Sequence, residues 1–211
     1  MKSINNSKLL VFDLGKVFVD FDYKIPIKQL AKRCALSEEE IYKRLIKSPL
    51  FMEFESGLIS TAEFLKKAKE ISGFNGEPEE LIPYLLEHFR LITPMIDLHR
   101  QCKALGYKTF LFSNTNELVI AYFRKVFPFI NEFDGHIFSY EYGCMKPDSR
   151  LYKILEKKSG YSGDKIVYID DISENINEGL KFGWQAFVHK DYETTKNHLI
   201  ELGILPDSFN S

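Results

Sequence analysis

Four short apolar runs punctuate the chain: LLVFD (9–13), KTFLFSN (108–114), KIVYIDD (165–171) and WQAFVHK (184–190). They are rich in β-branched and aromatic residues and barely alternate with polar ones. That is the pattern of strands buried on both faces of a parallel sheet. GHIFSY (135–140) is a weaker fifth run. Helical patterns lie between the later runs. PMIDLHRQCKALG (94–106) ends in a glycine suited to a helix C-terminus. DSRLYKILEKKSG (148–160) opens on an Asp or Ser cap and closes the same way, and SENINEGLKFG (173–183) repeats the form. Strand, helix and glycine in regular alternation predict an α/β fold, a doubly wound parallel sheet formed by residues 1–22 and 94–211.

Residues 23–93 break this rhythm. They hold no convincing strand but four helical patterns: IPIKQLAKRCA, SEEEIYKRLIK, STAEFLKKAKEIS and PEELIPYLLEHF. Ser37 with Glu40 has the form of a capping box, and Ser60 or Thr61 suits the start of the third helix. A block this long is no ordinary loop. It predicts an inserted all-helical cap domain over the strand ends.

Composition narrows the possibilities. The 211 residues are 45% hydrophobic and carry a net charge of -2, so no global field favours nucleic acid or a membrane surface. The 18 Phe and 11 Tyr are spread through apolar segments, as core packing requires, and form no basic stacking stripe. Cys34, Cys102 and Cys144 have neither paired nor metal-ligand spacing, which fits reduced thiols in a cytoplasmic protein. The N-terminal apolar run is too short for a signal peptide, and no run approaches the roughly 20 apolar residues of a membrane span. A monomer or weak homo-oligomer acting on a small molecule is expected.

Open parallel sheets bind ligands beyond the carboxyl ends of their strands. Three polar clusters fall there: Asp13 after the first run, Ser113-Asn114-Thr115-Asn116 after the second, and Asp170-Asp171 after KIVYI, with Asn175 one turn on. Lys146 precedes a proline, which disfavours helix at the lysine and leaves it on a loop. Singly, each cluster reads as a cap, a turn or a surface lysine. Jointly they offer paired carboxylates, a hydroxyl–amide pair and one cation. Such a set suits Mg²⁺ and a phosphoryl group, with Asp13 as nucleophile.

The same clusters carry a family resemblance. VFDLGKV, FLFSNTN, MKPDSRLY and YIDDISEN resemble, in order, the four motifs of the haloacid dehalogenase-like (HAD) hydrolases, chiefly Mg²⁺-dependent phosphatases with a Rossmann-like core. The resemblance implies that Asp13 is nucleophile and metal ligand, and that the Gly15 carbonyl, Asp171 and neighbouring Asp170 complete the metal site. It implies phosphate binding by Ser113, Lys146 and Asn114, and a cap after the first strand that governs selectivity. DLGKV is close to the DLGNV form of small sugar-phosphate phosphatases. Phe51, Phe54 and Glu55, in FMEFESGLIS (51–60), are candidates to face the substrate or simply to pack the cap.

Gly15 departs from the pattern. Most phosphatases of the family carry there an aspartate that protonates the leaving oxygen and then activates water, a contribution typically of ~10²–10⁴-fold. Three readings stay open: a phosphatase for substrates with good leaving groups, such as a sugar 1-phosphate; a substitute acid among Asp20, Asp22 or a cap residue such as Glu55; or a phosphate-binding relative with little turnover. The simpler role of Asp20 and Asp22 is capping or solvation, and that of Lys16 an exposed loop cation. The five histidines show no ligand spacing. A metal-free 2-haloacid dehalogenase also lacks the second aspartate, but Asp170-Asp171 beside Asp13 would there repel without compensation.

Overall fold

The computed structural model describes residues 7–206; residues 1–6 and 207–211, expected to belong to the α/β core, lie outside the described residues. Seven strands occur in it: β1 (Leu9–Phe12), β2 (Val19–Asp20), β3 (Arg90–Leu91), β4 (Lys108–Ser113), β5 (Gly135–Phe138), β6 (Ile166–Asp170) and β7 (Gln185–Val188). Five make one parallel sheet in the order β5-β4-β1-β6-β7, with Val11 beside both Phe110 and Tyr168. The chain thus builds outward on one side of β1, then crosses to the other. That reversal of order at β1 opens a crevice at the carboxyl ends of β1 and β6.

Ten α-helices accompany the strands: α1 (Lys24–Leu30), α2 (Glu38–Ile41), α3 (Pro49–Glu55), α4 (Thr61–Ser72), α5 (Ile82–Leu86), α6 (Thr93–Ala104), α7 (Glu117–Val126), α8 (Ser149–Ser159), α9 (Ser173–Lys181) and α10 (Tyr192–Glu201). Side chains alternate across β1. Leu10 and Phe12 pack with Met95 of α6, Ile120 and Phe123 of α7 and Leu199 of α10. Leu9 and Val11 pack on the other face with Leu151, Tyr152 and Leu155 of α8 and Ile176 of α9. Burial on both sides is why the strand reads as an unbroken apolar run.

The helical segment has its own apolar cluster, built on Ile27, Ile41, Leu50, Phe51, Phe54, Phe64 and Leu81. A two-stranded antiparallel neck, with Val19 opposite Leu91 and Asp20 opposite Arg90, carries the chain out to it and back. The Ser37–Glu40 capping box forms in both directions, and Ser60, not Thr61, caps α4 by accepting from Glu63 N at 3.2 Å. Two expected helices are broken up. SEEEIYKRLIK winds into a π-helical turn at Tyr42–Ile46. PEELIPYLLEHF begins as a 3₁₀ turn and yields only the short α5, because Pro83 supplies no N–H to an unbroken helix. No helix among the described residues is long and apolar enough to cross a membrane.

Candidate active site

The expected site residues converge at the crevice between β1 and β6. Asp13 continues β1, its N–H donating to Ile169 O at 2.8 Å. Asp170 ends β6, and Asp171 follows it. One oxygen from each of Asp13, Asp170 and Asp171 can be chosen so that all three lie within 4.8 Å of one another. Lys146 enters from the loop before α8, next to a cis peptide bond to Pro147. Its Nζ lies 3.1 Å from Asp13 Oδ1 and 2.5 Å from Asp170 Oδ2, and donates to Phe112 O at 2.7 Å.

The two neighbouring aspartates are treated differently. Asp170 is fully buried and its carboxylate is saturated. Oδ2 accepts from Lys146 and from Tyr168 Oη, each at 2.5 Å, and Oδ1 accepts from Ile172 N at 2.8 Å and Asn175 Nδ2 at 3.0 Å. Burial raises its pKa, but the Lys146 charge and these donors outweigh it and hold the carboxyl below its ordinary value. Asp171 is half-buried and lines the cleft, and its carboxylate has no side-chain hydrogen-bond or ion-pair partner among the described residues. Its own burial and the charge of Asp170 raise its pKa.

Asp13 is short of positive charge. Burial raises its pKa to about 7; Lys146 pulls it down, and Asp170 and Asp171 add to the rise. Its Oδ1 is buried without a hydrogen bond of good geometry, although Lys146 stands opposite as an ion-pair partner. Burial alone would lower the Lys146 pKa, but the charges of Asp13 and Asp170 raise it. Among the described residues, Lys146 is thus the one buried ammonium beside three carboxylates, with the exposed Lys16 adding only a weaker pull on Asp171. Hard oxygen donors, an orphaned buried oxygen and a deficit of positive charge fit a divalent cation of the Mg²⁺ type, held by Asp13 and Asp171.

Ser113, at the tip of β4, is buried and lines the same cleft. Asn114 is used locally: its Oδ1 accepts from Lys146 N at 2.7 Å and its Nδ2 donates to Lys146 O at 3.0 Å. Its side chain thereby fixes the lysine loop. Asn116 caps α7, a helix not expected from the sequence, by accepting from Val119 N at 3.0 Å. Glu55 reaches the cleft from the end of α3, as does Phe51, whereas Phe54 packs inside the apolar cluster of the helical segment. Asp20 pairs with Lys16 at 2.6 Å, Asp22 accepts from Lys24 N at 2.9 Å, and neither lines the cleft.

Two contributors were not singled out from the sequence. Tyr168 lies two residues before Asp170 in the same strand and so shares its face, which is the only signal it offered. Ser139, from the turn after β5, accepts from Thr115 N at 2.9 Å and donates to Glu55 O at 2.5 Å. It thus joins the helical segment to the loop after β4. The cleft encloses about 490 Å³. The β-strand ends contribute Asp13, Asp171 and Lys146 to its lining, and the rest is largely apolar, with Phe21, Tyr23, Phe51, Met52, Phe89 and Phe123 beside Glu55 and Lys47.

A family model for haloacid dehalogenase-like hydrolases matches residues 8–183. D-ribitol-5-phosphate phosphatase of Bacteroides thetaiotaomicron is 27% identical over 190 residues, covering 85% of this chain and 90% of that protein. The crystal structure of a HAD family enzyme from the same organism, in complex with magnesium and inorganic phosphate, superposes with a TM-score of 0.75 at 24% identity, covering 87% of this chain and 94% of the other. A HAD-like family hydrolase from Porphyromonas gingivalis gives a TM-score of 0.76 at 22% identity, covering 92% and 97%. The likeness to these two structures is one of fold.

Proposed function

This chain belongs to the haloacid dehalogenase-like hydrolases, and on that premise we propose that it is a Mg²⁺-dependent phosphatase. Its substrate is a small phosphorylated metabolite, a sugar phosphate such as a sugar 1-phosphate first among them. Its intermediate is a phosphoryl group carried on Asp13. The observation that carries this reading is one cleft holding three carboxylates, a buried ammonium and a serine hydroxyl. The relative that acts on ribitol 5-phosphate supports the substrate class, and the magnesium and phosphate in a protein of the same fold support the ion.

Asp13, the Gly15 carbonyl and Asp171 would hold the metal, with Asp170 beside them. When bound, Mg²⁺ offsets the carboxylate charge and polarises the phosphoryl oxygens. Asp13 attacks phosphorus as the ester oxygen departs, and water then cleaves the aspartyl phosphate to return the carboxylate. Lys146 stabilises charge on the phosphoryl oxygens, while Ser113 donates its hydroxyl to one of them. Asp170 takes no part as a free base, since its oxygens are spent on holding Lys146 and the start of α9.

A panel of phosphate esters assayed with Mg²⁺ and with chelator tests this. Phosphate release that stops on chelation and in Asp13→Asn is expected. Turnover retained by Asp13→Asn would sink the nucleophile. Halide release from a 2-haloacid, indifferent to chelator, would replace phosphatase with dehalogenase. Phosphate binding without turnover of any ester would leave a non-catalytic relative.

A further inference from the structure

Gly15 leaves the phosphatase reading without a group to protonate the departing oxygen. The glycine is not there for backbone reasons, since the positive φ in this turn, 58°, belongs to Lys16. Space is the constraint: a Cβ at position 15 would meet Phe21 Cε1 at 3.1 Å. The Phe21 ring thus crowds the first atom of any side chain placed there and would have to give by a few tenths of an ångström. Asp20 and Asp22 are held in the local contacts already described, outside the cleft.

Among the described residues, the acidic side chains that line the cleft are Asp13, Asp171 and Glu55. The first two are committed to nucleophile and metal, so Glu55 stands alone. Its carboxyl has no hydrogen-bond or ion-pair partner among the described residues, and it is close enough for Asp13 to act on it electrostatically. Its backbone, by contrast, is firmly docked. Ser139 Oγ donates to Glu55 O, and two residues on, Gly57 sits so close to Tyr140 that a Cβ would lie 2.0 Å from its carbonyl oxygen. A free carboxyl on an anchored backbone, lining the same cleft as the nucleophile, has the placement of an acid–base group.

We propose that Glu55, from the helical cap, is the catalytic acid and base of this hydrolase in place of the side chain absent at Gly15. The proposal rests on the phosphatase reading above. As Asp13 forms its bond to phosphorus and the bond to the ester oxygen breaks, protonated Glu55 gives its proton to that oxygen, and the alcohol departs. Glu55, now a carboxylate, takes a proton from the water that attacks phospho-Asp13. The bond from phosphorus to Asp13 breaks, phosphate leaves, and both side chains return to their starting states. Burial, with the Asp13 charge adding to it, raises the Glu55 pKa to about 7, so either form is accessible near neutral pH.

The test compares wild type, Glu55→Gln and Glu55→Asp, all with Mg²⁺, on aryl phosphates graded from 4-nitrophenyl to phenyl phosphate. With the acid gone, Glu55→Gln should lose about 10²-fold or more in kcat/KM on phenyl phosphate and much less on 4-nitrophenyl phosphate. On the latter it should release a burst of one equivalent of nitrophenolate, then stall as phospho-Asp13 accumulates. Glu55→Asp should recover part of the loss. An equal loss across the series without a burst, or a higher KM with kcat retained, would overturn the role of Glu55 while leaving the phosphatase standing. Wild type inactive on every ester would remove the phosphatase reading itself, and this proposal with it.

Discussion

On the core wall of the cleft, Asp170 accepts from an ammonium, a phenol, an amide and a backbone N–H, and Lys146 is tied to two carboxylates and a carbonyl. On the helical segment's side, the Glu55 carboxyl has no partner among the described residues, and behind the cleft lining neither does either ring nitrogen of the buried His88. His88 lies at the neck among Phe21, Tyr23 and Phe89. Desolvation lowers its pKa to about 4, which keeps it neutral. The saturated wall holds charges at fixed separations, and its buried groups are costly to disturb one at a time. The other wall is aromatic and sparsely polar, so it can vary in shape without unbalancing charge. On the proposal above, the first wall carries the nucleophile and the metal ligands, and the second adds one acid, Glu55, to a surface suited to selection.

The largest effect should come from breaking the saturated wall. Lys146→Met leaves Asp13 and Asp170 buried beside each other without their cation, a loss of roughly 3–5 kcal/mol when one partner of a buried pair is removed. Phosphatase activity should fall by a further ~10²–10³-fold in the molecules that stay folded. Urea unfolding and phosphate release measure the two parts separately. A variant as stable as wild type would end the contrast, for it would mean the buried network is no costlier to disturb than the aromatic wall.

Much of this wall was legible beforehand because its groups sit at strand tips. A parallel strand buried on both faces announces itself as an apolar run, so the residue that ends the run is placed at once: Asp13, Ser113 and Asp170 were all found this way. Glycines at 106 and 160 marked helix ends in the same manner; Gly160 adopts φ 77° after α8. α7 and α10 were passed over because their starts, at Asn116 and Asp191, read as polar loop until the caps are seen closing on Val119 and Thr194. Contacts between distant segments left no trace at all. Nothing in the spacing of Ser139, Glu55 and Thr115 shows that one hydroxyl joins all three, nor that Phe21 fills the space beside Gly15.

A middle-sized effect bears on the division of labour between the walls. Gly15→Asp places a carboxylate on the core side where the family usually has one, at the cost of moving the Phe21 ring by a few tenths of an ångström. If Glu55 already supplies the proton, the single variant should gain little. In the Glu55→Gln background the same change, combined with Phe21→Leu to make room, should restore about tenfold or more of the lost rate on phenyl phosphate. A large gain from Gly15→Asp in the wild-type background would move the acid–base function back to the core wall.

The smallest effect is expected at Met52, which lines the cleft from α3 yet is 59% exposed. Its thioether belongs to no polar network, so Met52→Ala should change stability by no more than about 0.5 kcal/mol. What it removes is apolar contact with the part of the substrate that does not react. Such contact is made equally in ground and transition states, so KM should rise by at most about tenfold while kcat holds. Steady-state kinetics on the best ester of the panel separates the two constants. A fall in kcat at unchanged KM would show that Met52 also positions the reacting phosphoryl group, so that α3 serves the chemistry at more than Glu55.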